Sequence, residues 1–341
     1  TLHGFSIVLC ELPKFQDSIL PILQSRTIHH AEAGEENTAK IEHVTNNISE
    51  ALSGSDLILV MVPAYAHRPF AQACAPHVKS HHTIVLMPGT LGTLEWARIF
   101  RESDASTSTL AEVDTAPYVC RKTGPAKTTV WGVVPRMGLG VLPSQRTNYV
   151  LNLLAPLFPG IEPHPDAMAC GLSSINPVVH PAGVLMNAGR VEYSRGDFYF
   201  YEEGVTPSVA EVISHVDMER REIGNMLGYE LTPVNDAFHQ AGFGPKGDLW
   251  ATINGSRMLT ALRAPGTLQN RWLTEDIPYG LATWSMIGNQ FGVQTPLMRS
   301  FVDIGSIVMG FDGWKRARTP ADLGIDKMDQ EQLMNYLTKG Y

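Results

Sequence analysis

Two unbroken apolar runs constrain this chain more than anything else in it. "LILVMVP" (residues 57–63) and "TIVLMPG" (residues 83–89) are each of strand length and show no polar alternation. A strand that is apolar on both faces needs cover on both, as in a parallel sheet flanked by helices. "HRPFAQACAPHV" and "GTLEWARIFRES" have helical spacing, and residues 47–52 predict a short helix before the turn "SGSD". "FSIVLCE" (residues 5–11) reads as a further strand. Strands alternating with helices predict βαβ units and an α/β doubly wound parallel sheet. "TLAEV", "YVCRK" and "TTVWGVV" are expected to extend that sheet, and "SQRTNYVLNLLAPLF" to close the domain as a helix near Gly160.

After Asp166 the texture changes. Helical patterns fill residues 175–191, 208–227, 277–291, 296–309 and 330–337, and strand patterns nearly vanish. With 341 residues two domains are expected. Prolines and charges in "GIEPHPDA" place the boundary so that a dinucleotide-binding domain covers residues 1–163 and an all-α domain covers 164–341. The formal charge is −8 with no basic stripe, which argues against nucleic acid as a partner. Cys10, Cys74, Cys120 and Cys170 stand far apart, with no CxxC pair. They read as buried thiols of a reducing, cytoplasmic setting rather than a disulfide framework or zinc site. No apolar run reaches membrane-spanning length and no signal peptide is visible, so no membrane partner is expected. The pairs His29-His30 and His81-His82 read as exposed loop residues, because no acidic or cysteine partner stands at ligand spacing. Thr206-Pro-Ser reads as a helix cap followed by an N1 proline.

An α/β domain invites a search for the glycine fingerprint G-x-G-x-x-G. Its one literal match, "GFGPKG" (residues 242–247), follows a helical stretch instead of a strand and lies in the helical half, so it reads as a plain loop. Glu11, at a strand end, has the place of an acidic residue that binds adenosine ribose hydroxyls, or is a solvated strand terminus. The turns after the two apolar strands offer Val62, Pro63, Ala64, Pro88, Gly89 and Thr90 to a flat cofactor, or are ordinary strand-to-helix turns. In "QNRWLTEDIPYGL", Thr274 reads as an N-cap, with Pro278 in the first turn and Glu275 and Asp276 as acids at a helix start. His180, directly before Pro181 in an apolar helical stretch, is either a satisfied core histidine or a group aimed into a site.

These segments together resemble the octopine/nopaline (opine) dehydrogenase family. The likeness is carried by "NPVVHP" (residues 176–181), "LMNAGRVE", "FYEEGVTPSV" (residues 200–209), "RWLTEDIPYGL" (residues 271–281), "MVPAYAH" and "LMPGTLG". It implies a Rossmann domain followed by a helical one. It also implies reductive condensation of an amino acid with a 2-oxo acid, often pyruvate, using NADH or NADPH. By the same likeness His180 is the catalytic acid/base, Asp276 its carboxylate partner and Arg271 a carboxylate-binding group. Asn176, one helical turn before His180, is expected to face the same cleft. Trp250, Trp272 and Tyr279 are candidates for amino-acid specificity. NADH is expected over NADPH, since the Glu11 charge repels a 2′-phosphate. A homodimer is a further possibility.

The sequence departs from the family in lacking a first strand and glycine loop before "FSIVLCE". "TLHG" reads as the tail of a helix with its C-terminal glycine, so the natural sequence is expected to extend roughly 20–25 residues upstream. The chain as given is then expected to bind NADH weakly and to be less stable than an extended form. Two alternatives stay open at this point: a cofactor-incompetent relative acting as a binding protein, and a related dehydrogenase of a simple keto or hydroxy acid.

Overall fold

The computed structural model describes residues 4–32, 35–105 and 107–340. Thr1, Leu2 and His3, where the expected helix tail falls, lie outside them. Among the described residues the first half holds eleven strands: β1 Val8–Cys10, β2 Thr27–Glu32, β3 Glu35–Lys40, β4 His43–Thr45, β5 Leu57–Val60, β6 Thr83–Leu86, β7 Thr109–Val113, β8 Tyr118–Gly124, β9 Lys127–Val133, β10 Met137–Leu142 and β11 Ile161–Pro163. The main sheet has the order β11-β10-β7-β6-β5. Its β5, β6 and β7 are parallel, joined by the helices Ala64–Cys74 and Gly92–Glu102, as the apolar runs predict. β10 lies antiparallel to β7 and pairs in parallel with β11.

Covering both faces of this sheet produces two cores. Ile84, Leu86 and Leu110 face one cluster that runs on into the helical half. Val85, Met87, Ala111 and Val113 face another, closed by Val150 and Leu154 of the helix Thr147–Leu154. The alternation is the period-2 consequence of the pleat, and each fully buried large aliphatic side chain contributes about 1.5–3 kcal/mol.

"YVCRK" and "TTVWGVV" do not extend that sheet. As β8 and β9 they form a hairpin, and with β2 and β3 a separate four-stranded sheet of order β3-β2-β9-β8. β8 is exposed at most positions and lacks the apolar residues needed for two-sided cover, whereas β10 "MGLGVL" is buried at all six and takes the place beside β7. Gly138 and Gly140 make that strand look like a loop in sequence. A Cβ at Gly140 would lie 2.4 Å from the Cys170 side chain, so the residue is small because a helix packs on it. His29 and His30 are not loop residues but lie in β2, where His29 Nδ1 meets Thr38 Oγ1 at 2.9 Å across the strand pair. His82 is buried, its Nδ1 accepting the Lys79 amide at 3.0 Å. β1 pairs in parallel with β4 as a small sheet of its own.

From Ala167 the described chain is helical, including Asn176–Leu185, Pro207–Met226, Thr283–Gln290, Pro296–Met309 and Gln330–Lys339. Thr206 caps its helix by accepting the Val209 amide, with Pro207 at N1. "GFGPKG" lies between two helices of this half. Among the described residues no helix is long and apolar enough to cross a membrane.

Candidate active site

His180 sits in the middle of Asn176–Leu185, a helix buried continuously from Pro177 to Val184. A neutral imidazole in such a place needs partners for both ring nitrogens. Nδ1 lies 2.8 Å from Asp276 Oδ2 and Nε2 lies 3.3 Å from Tyr201 Oη. An ionised carboxylate only accepts, so an ionised Asp276 takes the Nδ1 proton, and Nε2 faces the Tyr201 hydroxyl. The ring is stacked on Trp272 at 4.3 Å with 5° between planes, which holds its plane as well as its edges.

Two local departures from α-helical winding make this possible. Asp276–Ala282 and Phe200–Gly204 are π-helical turns, and they carry Asp276 and Tyr201. Such widened turns recur at functional sites because they swing a side chain out of the regular register. Close approach of Asp276–Ala282 to His180's helix depends on Gly280, where a Cβ would lie 2.3 Å from Pro177 Cβ. Burial pushes the Asp276 carboxyl above its usual range, and the His180 hydrogen bond opposes that. The Tyr201 hydroxyl is pushed up by burial and then by the Asp276 charge, so it stays protonated.

Thr274 is not the N-cap of this segment. Asn270 is, accepting the Trp272 amide at 2.9 Å, and Thr274 donates back to the Asn270 carbonyl. Nor are Glu275 and Asp276 merely helix-start acids. Glu275 Oε1 accepts the Ala64 amide at 2.8 Å across the junction between the two halves, while its Oε2 pairs with Arg271 Nε.

The dyad opens on a cleft of about 450 Å³. Asn176, His180, Arg271 and Asp276 all line it, so the four residues drawn from the helical half meet in one place. Trp272 lines it as well, whereas Trp250 and Tyr279 do not, and Tyr279 packs instead under the Arg318 guanidinium. From the sheet domain come Pro88 and Thr90, beside Tyr118, Val119, Cys120 and Arg121 of β8. Glu11, Val62, Pro63, Ala64 and Gly89 are not in its lining. Glu11 follows β1 and accepts the Leu12 amide at 2.8 Å. Val62 and Pro63 leave β5 half-buried. Both polar backbone groups of Ala64 are engaged by the helical half, its amide by Glu275 and its carbonyl by Arg318.

The turn after β6 is held by two groups that sequence reasoning missed. Glu112 of β7 is fully buried beneath it and accepts the Leu91 and Thr93 amides at 2.8 and 3.0 Å, at the start of Gly92–Glu102. Burial raises its carboxyl despite those amides. A Cβ on Gly89 would lie 2.2 Å from Glu112, so only glycine fits there. Arg318, 1% exposed, donates to Glu95 Oε2 at 2.8 Å, to Thr90 O at 2.7 Å and to Ala64 O at 2.9 Å, and its Nη2 lies 2.8 Å from His67 Nδ1. The one signal for Glu112 was a carboxylate inside the apolar strand "TLAEV". Tyr201 stands in "FYEEGVTPSV", a segment that carries the family likeness but does not single out this residue, and Arg318 stands in a segment with no pattern that marks it.

The sequence profile of the NAD/NADP octopine/nopaline dehydrogenase α-helical domain matches residues 163–309. An opine dehydrogenase of Arthrobacter sp. (strain 1C) is 29% identical over 293 residues, covering 86% of this chain and 81% of that one. A solved octopine dehydrogenase, in complex with NADH and pyruvate, shares the fold with a TM-score of 0.77 at 21% identity, over 97% of this chain and 92% of that one. Yersinopine dehydrogenase, solved with NADP+ bound, shares it at 0.70 and 14%, over 97% and 91%. With the dyad, its two π-helical turns and an α/β domain facing a helical one, the chain is similar in sequence and fold to the octopine/nopaline (opine) dehydrogenases.

Proposed function

We propose that the protein is an opine dehydrogenase, an NAD(P)H-dependent oxidoreductase acting on CH–NH. It joins the amino group of an amino acid to the carbonyl carbon of a 2-oxo acid such as pyruvate. The observation that carries this reading is His180 held between Asp276 and Tyr201 and stacked on Trp272, in a cleft that Arg271 and Asn176 also line.

The cofactor is NAD(H), with NADP(H) possible. The residues proposed to hold it are Glu11 for the adenosine ribose and the turns Val62, Pro63, Ala64 and Pro88, Gly89, Thr90 at the carboxyl ends of β5 and β6. The second turn meets the dyad's cleft through Pro88 and Thr90, whereas the space beside Gly89 is filled by the Glu112 side chain. At the first turn Val62 and Pro63 offer only surface, since the Ala64 amide is engaged. When bound, the cofactor supplies the hydride.

The chain's own residues supply the rest. Loss of water between amine and 2-oxo acid gives an imine, and its reduction needs a proton at nitrogen. His180 exchanges that proton at Nε2. Asp276 fixes the tautomer and stabilises imidazolium. Arg271 holds a substrate carboxylate with its planar fork and so sets the reacting carbon. Trp272 covers one face of the imidazole and keeps water from it. Of the four unpaired thiols only Cys74 and Cys170 are buried, with Cys10 half-buried and Cys120 exposed, and their free state suits a cytoplasmic location.

The test is NADH oxidation followed by absorbance with pyruvate, an amino acid, or both. Oxidation that needs both, with a mass corresponding to the N-(1-carboxyethyl) amino acid, is the expected result. Equal oxidation with pyruvate alone points to a simple 2-oxo acid reductase, and no NADH binding at all points to a binding protein.

A further inference from the structure

An opine carries two carboxylates, one from each substrate, and Arg271 accounts for one. The cleft therefore needs a second anion-binding group if both acids are held. Among the described residues, apart from the dyad's imidazole, Arg271 and Arg121 are the only cationic side chains in its lining. Both carboxylates in that lining are already engaged within the protein, Glu275 by the Ala64 amide and Arg271, and Asp276 by His180.

Arg121 is different in kind from Arg271. It comes from β8, on the four-stranded sheet of the first half, not from the helical half. Its backbone is fixed by pairing with Thr129 of β9, and its carbonyl accepts the Thr128 hydroxyl at 2.9 Å. The guanidinium has no carboxylate partner among the described residues and lies 6.0 Å from the Trp131 ring. A cation on a fixed strand, bordering a reaction cleft and left without an anion, is ready for one from the substrate. The same cleft is lined by Val119, Val134, Met258, Leu259 and Leu262.

On the reading that this cleft condenses an amine with a 2-oxo acid, we propose that Arg121 binds the α-carboxylate of the amino acid. Arg271 then takes the 2-oxo acid, and the two anchors lie on different halves of the chain. Arg121 binds and selects; it exchanges no proton.

The experiment compares wild type with Arg121→Met and Arg121→Lys in the full chain. Each is given NADH and pyruvate with either leucine or 3-methylbutylamine, the same skeleton without its carboxylate. The expected result is a fall of about 10–100-fold in kcat/KM for leucine in Arg121→Met, the size of a lost charged hydrogen bond, borne mainly by the leucine KM. Arg121→Lys keeps part of it. With the amine the same Met substitution shifts kcat/KM less than about twofold, on the same scale. Thermal midpoints within a degree or two of wild type check that a strand-surface change leaves the fold intact. Equal falls with leucine and the amine, or no fall with either, overturn the assignment of Arg121 while condensation stands. Wild type that oxidises NADH with pyruvate whether or not an amine is present overturns the condensation reading, and this inference with it.

Discussion

One carboxylate, Glu95, is held by two arginines in different surroundings, which allows a prediction with an internal control. Glu95 Oε2 accepts from Arg318 at 2.8 Å, and both side chains are almost fully buried. Glu95 Oε1 accepts from Arg68 at 2.7 Å, and that arginine side chain is 45% exposed. Removing one partner of a buried ion pair costs about 3–5 kcal/mol, since the other charge stays behind in low dielectric. Arg318→Met keeps the apolar stem but removes every donor, so the Ala64 and Thr90 carbonyls also lose theirs. Each orphaned buried carbonyl adds about 1–3 kcal/mol where water cannot reach it. Glu95 keeps Arg68, which holds the ion-pair share near its lower limit. The expected net loss is therefore at least about 5 kcal/mol, about 3 from the ion pair and about 1 from each carbonyl. Arg68→Ala, at a half-exposed site, should lose no more than about 1 kcal/mol. Urea unfolding read at the first transition, with unchanged slope, measures both. A difference of less than about 1 kcal/mol between the two variants would refute the claim that burial separates them.

His180→Ala should reduce turnover about 10²–10⁴-fold with the fold intact by circular dichroism, and undiminished turnover would remove its proposed role. A higher kcat/KM with NADH than with NADPH is expected from the Glu11 charge, and a clear NADPH preference would count against that residue. Glu112 titrates above its unfolded value because it is buried, so its contribution to stability is fully present below about pH 4.3 and is lost as pH rises through the folded value. Wild type should therefore gain stability on Glu112→Gln as the medium is acidified from neutrality, and a gap that narrows instead, in paired melts across pH, contradicts the assignment.

What the sequence revealed depended on how each element is stabilised. β5, β6 and β7 hold their place by two-sided burial, and that leaves an apolar run to read. β2 and β3, "TIHHAE" and "EENTAK", are held by backbone pairing on a mostly exposed surface, so their side chains carry little pattern. β10 hides behind Gly138 and Gly140, which are small because neighbours crowd them. The dyad lies 96 positions apart, a distance that no periodicity spans, and family likeness rather than spacing pointed to it. Asp276 was ambiguous because an acid at a helix start already has an electrostatic reason to be there. Glu112 and Arg318 act on backbone groups of distant turns, and nothing local in "TLAEV" or "RARTP" records that.

The separate sheet that carries β8 has a consequence for how such a protein can change. β5, β6, β7 and β10 are closed into the two cores, and a substitution there disturbs packing on which the dyad's placement depends. Tyr118, Cys120 and Arg121 border the same cleft from a strand exposed at most of its positions. Exposed substitutions typically move stability by only about half a kcal/mol. On the proposed function, residues that line the cleft from this side are free to drift at little expense to folding, while His180, proposed to exchange the proton, stays locked in the interior. On the same reading, new amine preferences can arise by changing one hairpin, with the chemistry inherited unchanged.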